Sequence, residues 1–180
     1  TLFFWRWHPE FRTNARDGIA IFMGDQCPTY RVPQPTPRSE DTKHKVQAKL
    51  SKVRDRGYIE PGFVKSLTGY FPVPKTKRDI RMVYDASKCG LNDLVWAPNF
   101  FVPSVESMVD LLDSKSWMGD IDLGEMFLNF PLDPKVIPLV GVDLSPYFEH
   151  DDNPLWERWC RCLMGFKASP YNACRSLSLG

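Results

Sequence analysis

The sequence lacks the features that mark three common classes of protein. No apolar run is long enough to span a bilayer, which excludes a membrane-spanning helix and gives no reason to expect a membrane partner. The five cysteines do not form a zinc pattern, because Cys160-Arg-Cys162 is not a zinc spacing and no histidine is placed to complete a site. There is no internal repeat, no low-complexity tract and no visible signal peptide after Thr1. These absences favour free thiols in an intracellular protein, of the nucleus or the cytoplasm.

The sequence has the hydrophobic content of an ordinary globular protein, and its basic and acidic residues are concentrated in different parts of the chain. Hydrophobic residues make up 43% of 180 residues, enough for one domain with a core. The formal net charge is +1, yet the stretch from Arg38 to Arg81 holds 12 Lys/Arg and 5 Asp/Glu, a net of +7. From Met82 to Glu157 there are 3 Lys/Arg and 14 Asp/Glu, a net of −11. A basic part can meet phosphates and an acidic part can hold cations; segregation by chance is the alternative.

Local patterns divide the chain into a lead-in and one domain. Residues 1–37 begin with aromatic residues and end in a segment dense in proline, which favours an extended connector. We expect this lead-in to pack on the surface of a domain formed by residues 38–180.

Within that domain the patterns predict both helices and strands. Residues 40–56 are predicted to be helical, because Ser39 or Asp41 can cap the start and Gly57 can end the run. The other predicted elements are a hairpin of strands Gly69–Pro74 and 80–84 with a basic tip, a helix capped by Ser104, a strand over 117–122, a turn or short helix through Leu128, strands near 137–144 and 156–163, and a helix begun by Ser169 as cap and Pro170, running to the end of the chain.

Two carboxylates stand out at the end of one predicted strand. Asp120 and Asp122 alternate with Ile121, so a strand over 117–122 would direct both to one face. In two-metal phosphoryl transfer, metals about 4 Å apart bind the attacking hydroxyl and the departing phosphate oxygens. A lone Asp at a strand end is more often structural than catalytic, so the surrounding motif has to decide.

The segment that follows Asp122 resembles the first palm motif of reverse transcriptases, Asp-x-x-x-x-Tyr/Phe, which often continues into Pro-Leu. The resemblance implies that Asp122 holds Mg²⁺ (or Mn²⁺), with the carbonyl of Leu123 as a further ligand. It implies that Phe127 packs under the incoming sugar and excludes a 2′-hydroxyl; a core aromatic is the alternative. The backbone N–H groups of Glu125, Met126 and Phe127 would bind a triphosphate as an anion nest.

The basic hairpin resembles the fingers hairpin of the same family. The resemblance implies that Lys75 and Arg81 grip the incoming triphosphate, where an ammonium and a guanidinium neutralise phosphate charge. A difference of one residue in loop length leaves Lys77 as a rival to Lys75. Asn92 resembles the Asn of the family's Leu-Asn pair.

The segment Leu163–Pro170 resembles the second palm motif, Pro-Gln-Gly-φ-x-x-Ser-Pro, where φ is apolar. Gly165 would let the backbone approach the nascent base pair closely. The resemblance implies a helix beneath the template and primer that begins at Ser169-Pro170, and nucleic-acid contacts from Lys167, Ser169 and Pro170.

Together these motifs imply a right-hand polymerase of class α+β, with a small antiparallel palm sheet backed by helices and a fingers hairpin. The implied activity is RNA-directed DNA polymerisation, with deoxynucleoside triphosphates and an RNA or DNA template with primer as partners. The family's third palm motif, aromatic-x-Asp-Asp, does not follow Asp122, and Asp151-Asp152 precedes the second motif. We therefore expect a fingers and partial palm fragment, truncated before that hairpin and inactive by itself.

Two alternatives remain at this point. A non-catalytic nucleic-acid-binding remnant of such a polymerase would use only the +7 segment and would need no metal. An RNA-templated RNA polymerase is disfavoured by the ring at Phe127.

Overall fold

The computed structural model describes residues 4–179 except 38, 77, 111, 114, 116, 118 and 120. In chain order, its helices and strands are α1 (Pro9–Asp17), α2 (Glu40–Asp55), β1 (Ile59–Pro61), β2 (Gly69–Pro74), β3 (Ile80–Asp85), α3 (Leu91–Leu94), α4 (Val105–Val109), β4 (Gly141–Asp143), β5 (Trp156–Trp159) and α5 (Ala168–Ser178). Single 3-10 turns lie at Phe4–Arg6, Met126–Asn129 and Ile137–Leu139. Helices with small antiparallel sheets make the fold α+β, as predicted. Within the described ranges, no helix is both long and apolar enough to cross a bilayer.

Helix α2 confirms the helix predicted over 40–56. The Ser39 hydroxyl accepts a hydrogen bond from the N–H of Thr42, which satisfies one of the free donors of the first turn. Gly57 follows the helix at φ 65°, a left-handed conformation that suits glycine and ends the run. One face of α2 is buried through Val46 and Leu50, which anchors the helix to the core.

The larger sheet has the strand order β1-β5-β4, and both pairings are antiparallel. Ile59 lies opposite Trp159, and Gly141 lies opposite Arg158. Trp159 is fully buried, so the middle strand β5 contributes a large ring to the same core that Leu50 of α2 enters.

Strands β2 and β3 form the predicted hairpin and rest against the larger sheet. Tyr70 on β2 is buried, and its hydroxyl donates to the carbonyl of Asp143 on β4 at 2.6 Å. Tyr84 on β3 meets Trp159 edge to face, with ring centroids 4.8 Å apart. Burial raises the pKa of both tyrosines, so these rings stay neutral. The hairpin is therefore held to the sheet by its base, which leaves the tip outside.

The lead-in, expected to pack on the surface of the domain, also contributes one residue to the core. Ile19 is 1% exposed; its N–H donates to Pro131 O at 2.8 Å, and its carbonyl accepts from the N–H of Asp133 at 3.1 Å. A short bridge of this kind needs only two residues, so the dense prolines farther along do not prevent it. The boundary between residues 37 and 38 stays a prediction, and Arg38 lies outside the described residues.

The strand predicted over 117–122 is wrong at the described positions. Residues 117, 119, 121 and 122 are in irregular structure. Trp117 is wholly exposed and Ile121 is 87% exposed. An apolar alternation favours a strand only where a neighbouring strand completes its hydrogen bonds, and no described strand pairs with this segment. Asp120, predicted beside Asp122, lies outside the described residues.

Two other strand predictions are shortened and one helix cap is wrong. Pro138 belongs to a 3-10 turn, so β4 begins only at Gly141, and β5 ends at Trp159. Helix α5 begins at Ala168 with Lys167 in the cap position and ends at Ser178. Ser169 does not cap it, because the Ser169 hydroxyl donates to Leu163 O at 2.8 Å instead. The prediction that this helix runs to the end of the chain is wrong at Leu179, which lies in a turn, and residue 180 lies outside the described residues.

Candidate nucleotide and nucleic-acid interface

Asp122, the predicted metal ligand, lies in the exposed segment that leads into the 3-10 turn at Met126–Asn129. Leu123, the other predicted ligand, is 44% exposed beside it. Over the described residues, no group of three or more His, Cys, Asp or Glu is close enough together to hold a metal ion. Among the described residues, the fold therefore supplies Asp122 as an accessible carboxylate outside any cluster of three metal-binding side chains.

The Glu125 side chain holds the turn that follows Asp122. The sequence predicted a role only for the backbone N–H of this residue. Glu125 adopts a left-handed conformation with φ 54°, which is uncommon for a residue with a side chain. Its carboxylate forms an ion pair with the Arg56 guanidinium and accepts from the Tyr58 hydroxyl at 3.2 Å. The Asn129 amide donates within the same turn, to Met126 O at 3.3 Å. These contacts tie the predicted anion nest to the region where α2 ends and β1 begins.

Phe127 is half-buried and packs against the main core, whereas Met126 lines an apolar cavity beside α1. The structure thus gives the Phe127 ring a core contact and leaves part of it accessible. Both features are compatible with a ring at the floor of a nucleotide site. Its role as a sugar gate stays a prediction.

The hairpin tip presents the predicted triphosphate ligands on its outside. Lys75 and Arg81 are both exposed. The tip is closed by the N–H of Lys75, which donates to Asp79 O at 3.0 Å, and by the Thr76 hydroxyl, which accepts from Asp79 N at 3.1 Å. The Asp79 carboxylate in turn lies 2.9 Å from the Lys49 ammonium of α2. That hydrogen bond, with a second from the Ile80 N–H, lowers the pKa of Asp79. Lys77, the rival ligand, lies outside the described residues.

Gly165 is required by packing inside the protein. Its φ is 90°, and a Cβ placed on it would lie 2.0 Å from the carbonyl oxygen of Tyr84 on β3. No side chain fits there, because both the backbone conformation and the available space exclude one. The loop that resembles the second palm motif is therefore seated directly on the end of the hairpin.

Asn92 connects the same two segments by hydrogen bonds. Its amide nitrogen donates to Gly165 O at 2.9 Å and to the Ser87 hydroxyl at 2.8 Å. Its amide oxygen accepts from the backbone N–H of Lys167 at 2.8 Å. Sequence reasoning noted Asn92 only as part of a Leu-Asn pair. The sequence did not predict its hydrogen bonds to Gly165 and Lys167, because both residues lie more than 70 positions farther along the chain.

The three predicted nucleic-acid contacts at the start of α5 differ in accessibility. Lys167 and Pro170 are exposed, so both can meet a ligand from outside. Ser169 is fully buried, and its hydroxyl already donates to Leu163 O. The accessible surface at this helix start therefore comes from Lys167 and Pro170.

An ion pair that sequence reasoning missed supports the sheet next to this site. Glu157 on β5 has a side chain only 3% exposed, and its carboxylate lies 2.7 Å from the Arg54 guanidinium at the end of α2. The Arg54 guanidinium also stacks 5.0 Å from the ring of Phe148. Arg54 lies near the end of a helix that the sequence predicted, but nothing in the sequence indicated that it pairs with Glu157.

Solved structures with this architecture include two crystal structures of the prototype foamy virus protease–reverse transcriptase. The selenomethionine-labelled CSH mutant matches with a TM-score of 0.66 and 20% identity over 87% of this chain. The native protein matches with a TM-score of 0.65 and 19% identity over 86% of this chain. The chain has the fold of part of a reverse transcriptase.

A third structure, of a foamy viral protease–reverse transcriptase in complex with double-stranded DNA, matches with a TM-score of 0.59 and 17% identity over 86% of this chain. The matched region covers 20%, 19% and 24% of the three structures, so this chain spans about a fifth to a quarter of their length. No protein-family model and no curated protein matches the sequence. The likeness is therefore one of fold.

Proposed function

We propose that this chain forms the fingers and part of the palm of an RNA-directed DNA polymerase. The complete enzyme would add deoxynucleotides to a primer 3′-hydroxyl on an RNA or DNA template. Support comes from the fold likeness over 87% of the chain and from three motif-like segments that occur in the family's order.

The observation that carries this proposal is the contact between two of those segments. Asn92, just after the hairpin, bonds to Gly165, 73 positions farther along the chain. Gly165 also abuts the end of β3, at Tyr84. Two unrelated stretches that resembled motifs by chance would have no reason to meet. Their contact is what one nucleotide site assembled from both would need.

In the proposed site, the hairpin binds the triphosphate and the turn after Asp122 faces the sugar. Arg81 lies on β3 and Lys75 directly follows the end of β2, and both are exposed cations that would neutralise phosphate charge as it develops. The backbone of Glu125, Met126 and Phe127 would receive phosphate oxygens. The Phe127 ring would exclude a 2′-hydroxyl.

Nucleic acid would lie against the start of α5. Lys167 and Pro170 offer an accessible cation and an apolar surface there, whereas Ser169 supports the loop from inside by its bond to Leu163. Because Gly165 has no side chain, the backbone of this loop would be able to lie close to the base pair.

The donors predicted for magnesium or manganese within the described chain are Asp122 and the carbonyl of Leu123. They would supply two of the six oxygens that Mg²⁺ takes, and water and substrate phosphates would supply others. Within the described chain no group of three or more His, Cys, Asp or Glu could hold a metal ion, and no aromatic-x-Asp-Asp motif follows Asp122 in the sequence. We therefore propose that these 180 residues bind nucleic acid and nucleotide without copying a template.

The second candidate is a nucleic-acid-binding remnant without a nucleotide site. It is favoured by the exposed setting of Asp122 and by the concentration of Lys and Arg between Arg38 and Arg81. It predicts salt-sensitive binding to nucleic acid and no binding of triphosphate.

The test that separates the two candidates measures two affinities of the 180-residue chain. Fluorescence anisotropy with a labelled primer–template gives nucleic-acid affinity across about 50 to 200 mM salt, where loss of phosphate contacts shows as a shallower slope. Calorimetric titration with dTTP and Mg²⁺ gives nucleotide affinity. For a polymerase portion, the double change Lys75→Ala and Arg81→Ala should weaken dTTP binding about tenfold and leave duplex binding within about twofold.

The matched control is Lys135→Ala, since Lys135 is an exposed lysine in the acidic part of the chain. It should change neither affinity. Duplex binding without measurable dTTP binding would support the remnant, and absence of both would refute a nucleic-acid function altogether.

A further inference from the structure

A carboxylate lies within the hairpin tip, between the two cations that we propose as triphosphate ligands. Asp79 follows Lys75 by four positions and precedes Arg81 by two. The carbonyl of Asp79 accepts hydrogen bonds from the N–H groups of Lys75 and Thr76, at 3.0 and 3.2 Å, so the tip holds Asp79 close to Lys75. An anion at this place would repel a triphosphate and would pair with Lys75, unless another cation neutralised it.

Lys49 supplies such a cation from outside the hairpin. It lies on α2, and its ammonium is 2.9 Å from Oδ1 of Asp79. The same oxygen accepts a hydrogen bond from the Ile80 N–H at 2.9 Å, which fixes the orientation of the carboxylate. Helix α2 therefore neutralises the one acidic side chain among the described residues of the tip.

The ionisation of Asp79 shows that Lys75 is close enough to be the alternative partner. The hydrogen bond from Lys49 contributes most to lowering the pKa of Asp79, the Ile80 N–H contributes next, and the charge of Lys75 contributes least. Asp79 is therefore an anion at neutral pH, within the field of both lysines. Because Lys49 forms the direct contact, the Lys75 ammonium stays available at the exposed side of the tip.

We propose that Lys49 is a positioning residue of the triphosphate site, because it holds the Asp79 carboxylate and so leaves Lys75 free to bind phosphate. Lys49 acts through Asp79 and does not itself contact the nucleotide. Without Lys49, the Asp79 carboxylate would pair with Lys75, and one of the two proposed phosphate ligands would be occupied. This inference rests on the proposed function, since it concerns the affinity of the same site.

The rival explanation is that Lys49 binds phosphate directly, as a further cation beside the tip. The two explanations differ in the effect of the Asp79 charge. If Lys49 acts through Asp79, removing that charge compensates for the loss of Lys49. If Lys49 binds phosphate itself, the loss remains whatever stands at position 79.

The test is calorimetric titration of the 180-residue chain and its variants with dTTP and Mg²⁺. Lys49→Met should weaken dTTP binding about fivefold, since it leaves one unneutralised carboxylate beside the site. Asp79→Asn removes the charge and keeps an oxygen that can accept from the Ile80 N–H. Combined with Lys49→Met, it should restore the affinity to within about twofold of the unmodified chain, and by itself it should not weaken binding.

Lys45→Met is the matched control. The Lys45 ammonium lies 2.6 Å from the carboxylate of Asp41, so this lysine forms the same kind of ion pair within α2 instead of with the hairpin. The control removes the same charge from the same helix and should change dTTP affinity by less than about twofold. Since both ion pairs are partly exposed, every variant should keep its melting temperature.

Two results would overturn the role of Lys49 while the proposed function stands. One is a dTTP affinity in Lys49→Met equal to that of the unmodified chain. The other is a loss in Lys49→Met that persists in the double variant, which would make Lys49 a direct phosphate ligand. Absence of dTTP binding by the unmodified chain is a different outcome, because it would refute the proposed nucleotide site and this inference with it.

Discussion

The two palm-like segments of this chain are alike as sequence motifs and opposite in their surroundings. The Gly165 loop is held by noncovalent contacts. Asn92 forms two hydrogen bonds with it, and the end of β3 lies directly against it. In the segment around Asp122, the described residues 117, 119 and 121–123 are irregular, and the apolar Trp117 and Ile121 face outward. A segment that matches a motif adopts a fixed conformation when the folded chain supplies the residues that contact it. The Gly165 loop has such partners among the described residues, whereas the segment around Asp122 is tethered through the turn that follows it, by the Glu125 ion pair and the core contact of Phe127.

The largest effect expected from this contrast is that of Gly165→Ala. The added Cβ would lie 2.0 Å from Tyr84 O at φ 90°, so the loop or the hairpin must shift. We expect a loss of about 3 kcal/mol in the free energy of unfolding, measured by urea denaturation. Gly24→Ala is the control, since a Cβ there meets nothing within 4 Å; it should change stability by less than about 0.5 kcal/mol. An unchanged midpoint for Gly165→Ala would show that the loop does not rest on the hairpin.

Asn92→Ala should have the next largest effect. It removes the donor to Gly165 O and the acceptor of the Lys167 N–H. We expect a loss of about 2 kcal/mol in unfolding free energy by the same denaturation assay. Asn153→Ala, in an exposed loop, should be neutral. If Asn92→Ala were also neutral, the hydrogen-bonded connection would be dispensable and the contrast would depend on Gly165 packing alone.

Arg56→Ala tests the tether of the other segment. The substitution removes the ion pair between Arg56 and Glu125. Because both side chains are about two-fifths exposed, the free energy of unfolding should fall by less than about 1 kcal/mol. Local opening should increase more clearly, seen as faster amide hydrogen exchange across Met126–Asn129. Arg16→Ala breaks an exposed pair with Asp17 and should leave that exchange unchanged. Equal exchange in both variants would mean that Glu125 does not hold the turn.

The smallest effect should come from the double change Trp117→Ser and Ile121→Ser. Both side chains lie in solvent, so unfolding free energy should change by less than about 0.5 kcal/mol despite the loss of two large apolar groups. The matched comparison is Trp159→Ser, which empties a fully buried position and should cost more than 3 kcal/mol. A substantial loss from the exposed pair would place those side chains in a core.

Local signals predicted the elements whose partners are close in sequence. The cap of α2 at Ser39, the cap of α4 at Ser104 and the hairpin of strands β2 and β3 are all confirmed. Each depends on hydrogen bonds that span few residues. The apolar residues of α4 are exposed in the structure, where Val105 and Met108 are more than half accessible. Periodicity indicates which residues align and says nothing of what covers them.

For the candidate site, residue types were predictable and their contacts were not. The glycine at 165 was recognised, but the reason for it, the carbonyl of Tyr84, is a neighbour only in three dimensions. Ser169 was expected as a helix cap and instead bonds to Leu163. The metal and nucleotide roles of Asp122, Lys75 and Arg81 stay predictions.

By itself, the sequence determined the class of the fold, its capped helix, its basic hairpin and the division of charge, because these follow from spacing and side-chain chemistry along the chain. Only the tertiary structure decided that the Gly165 loop is locked to the hairpin, that the lead-in buries Ile19 and that the segment around Asp122 stays exposed. The reason is physical: a strand, a close approach or a buried residue is stabilised by atoms distant in sequence, and their positions are set only when the whole chain packs.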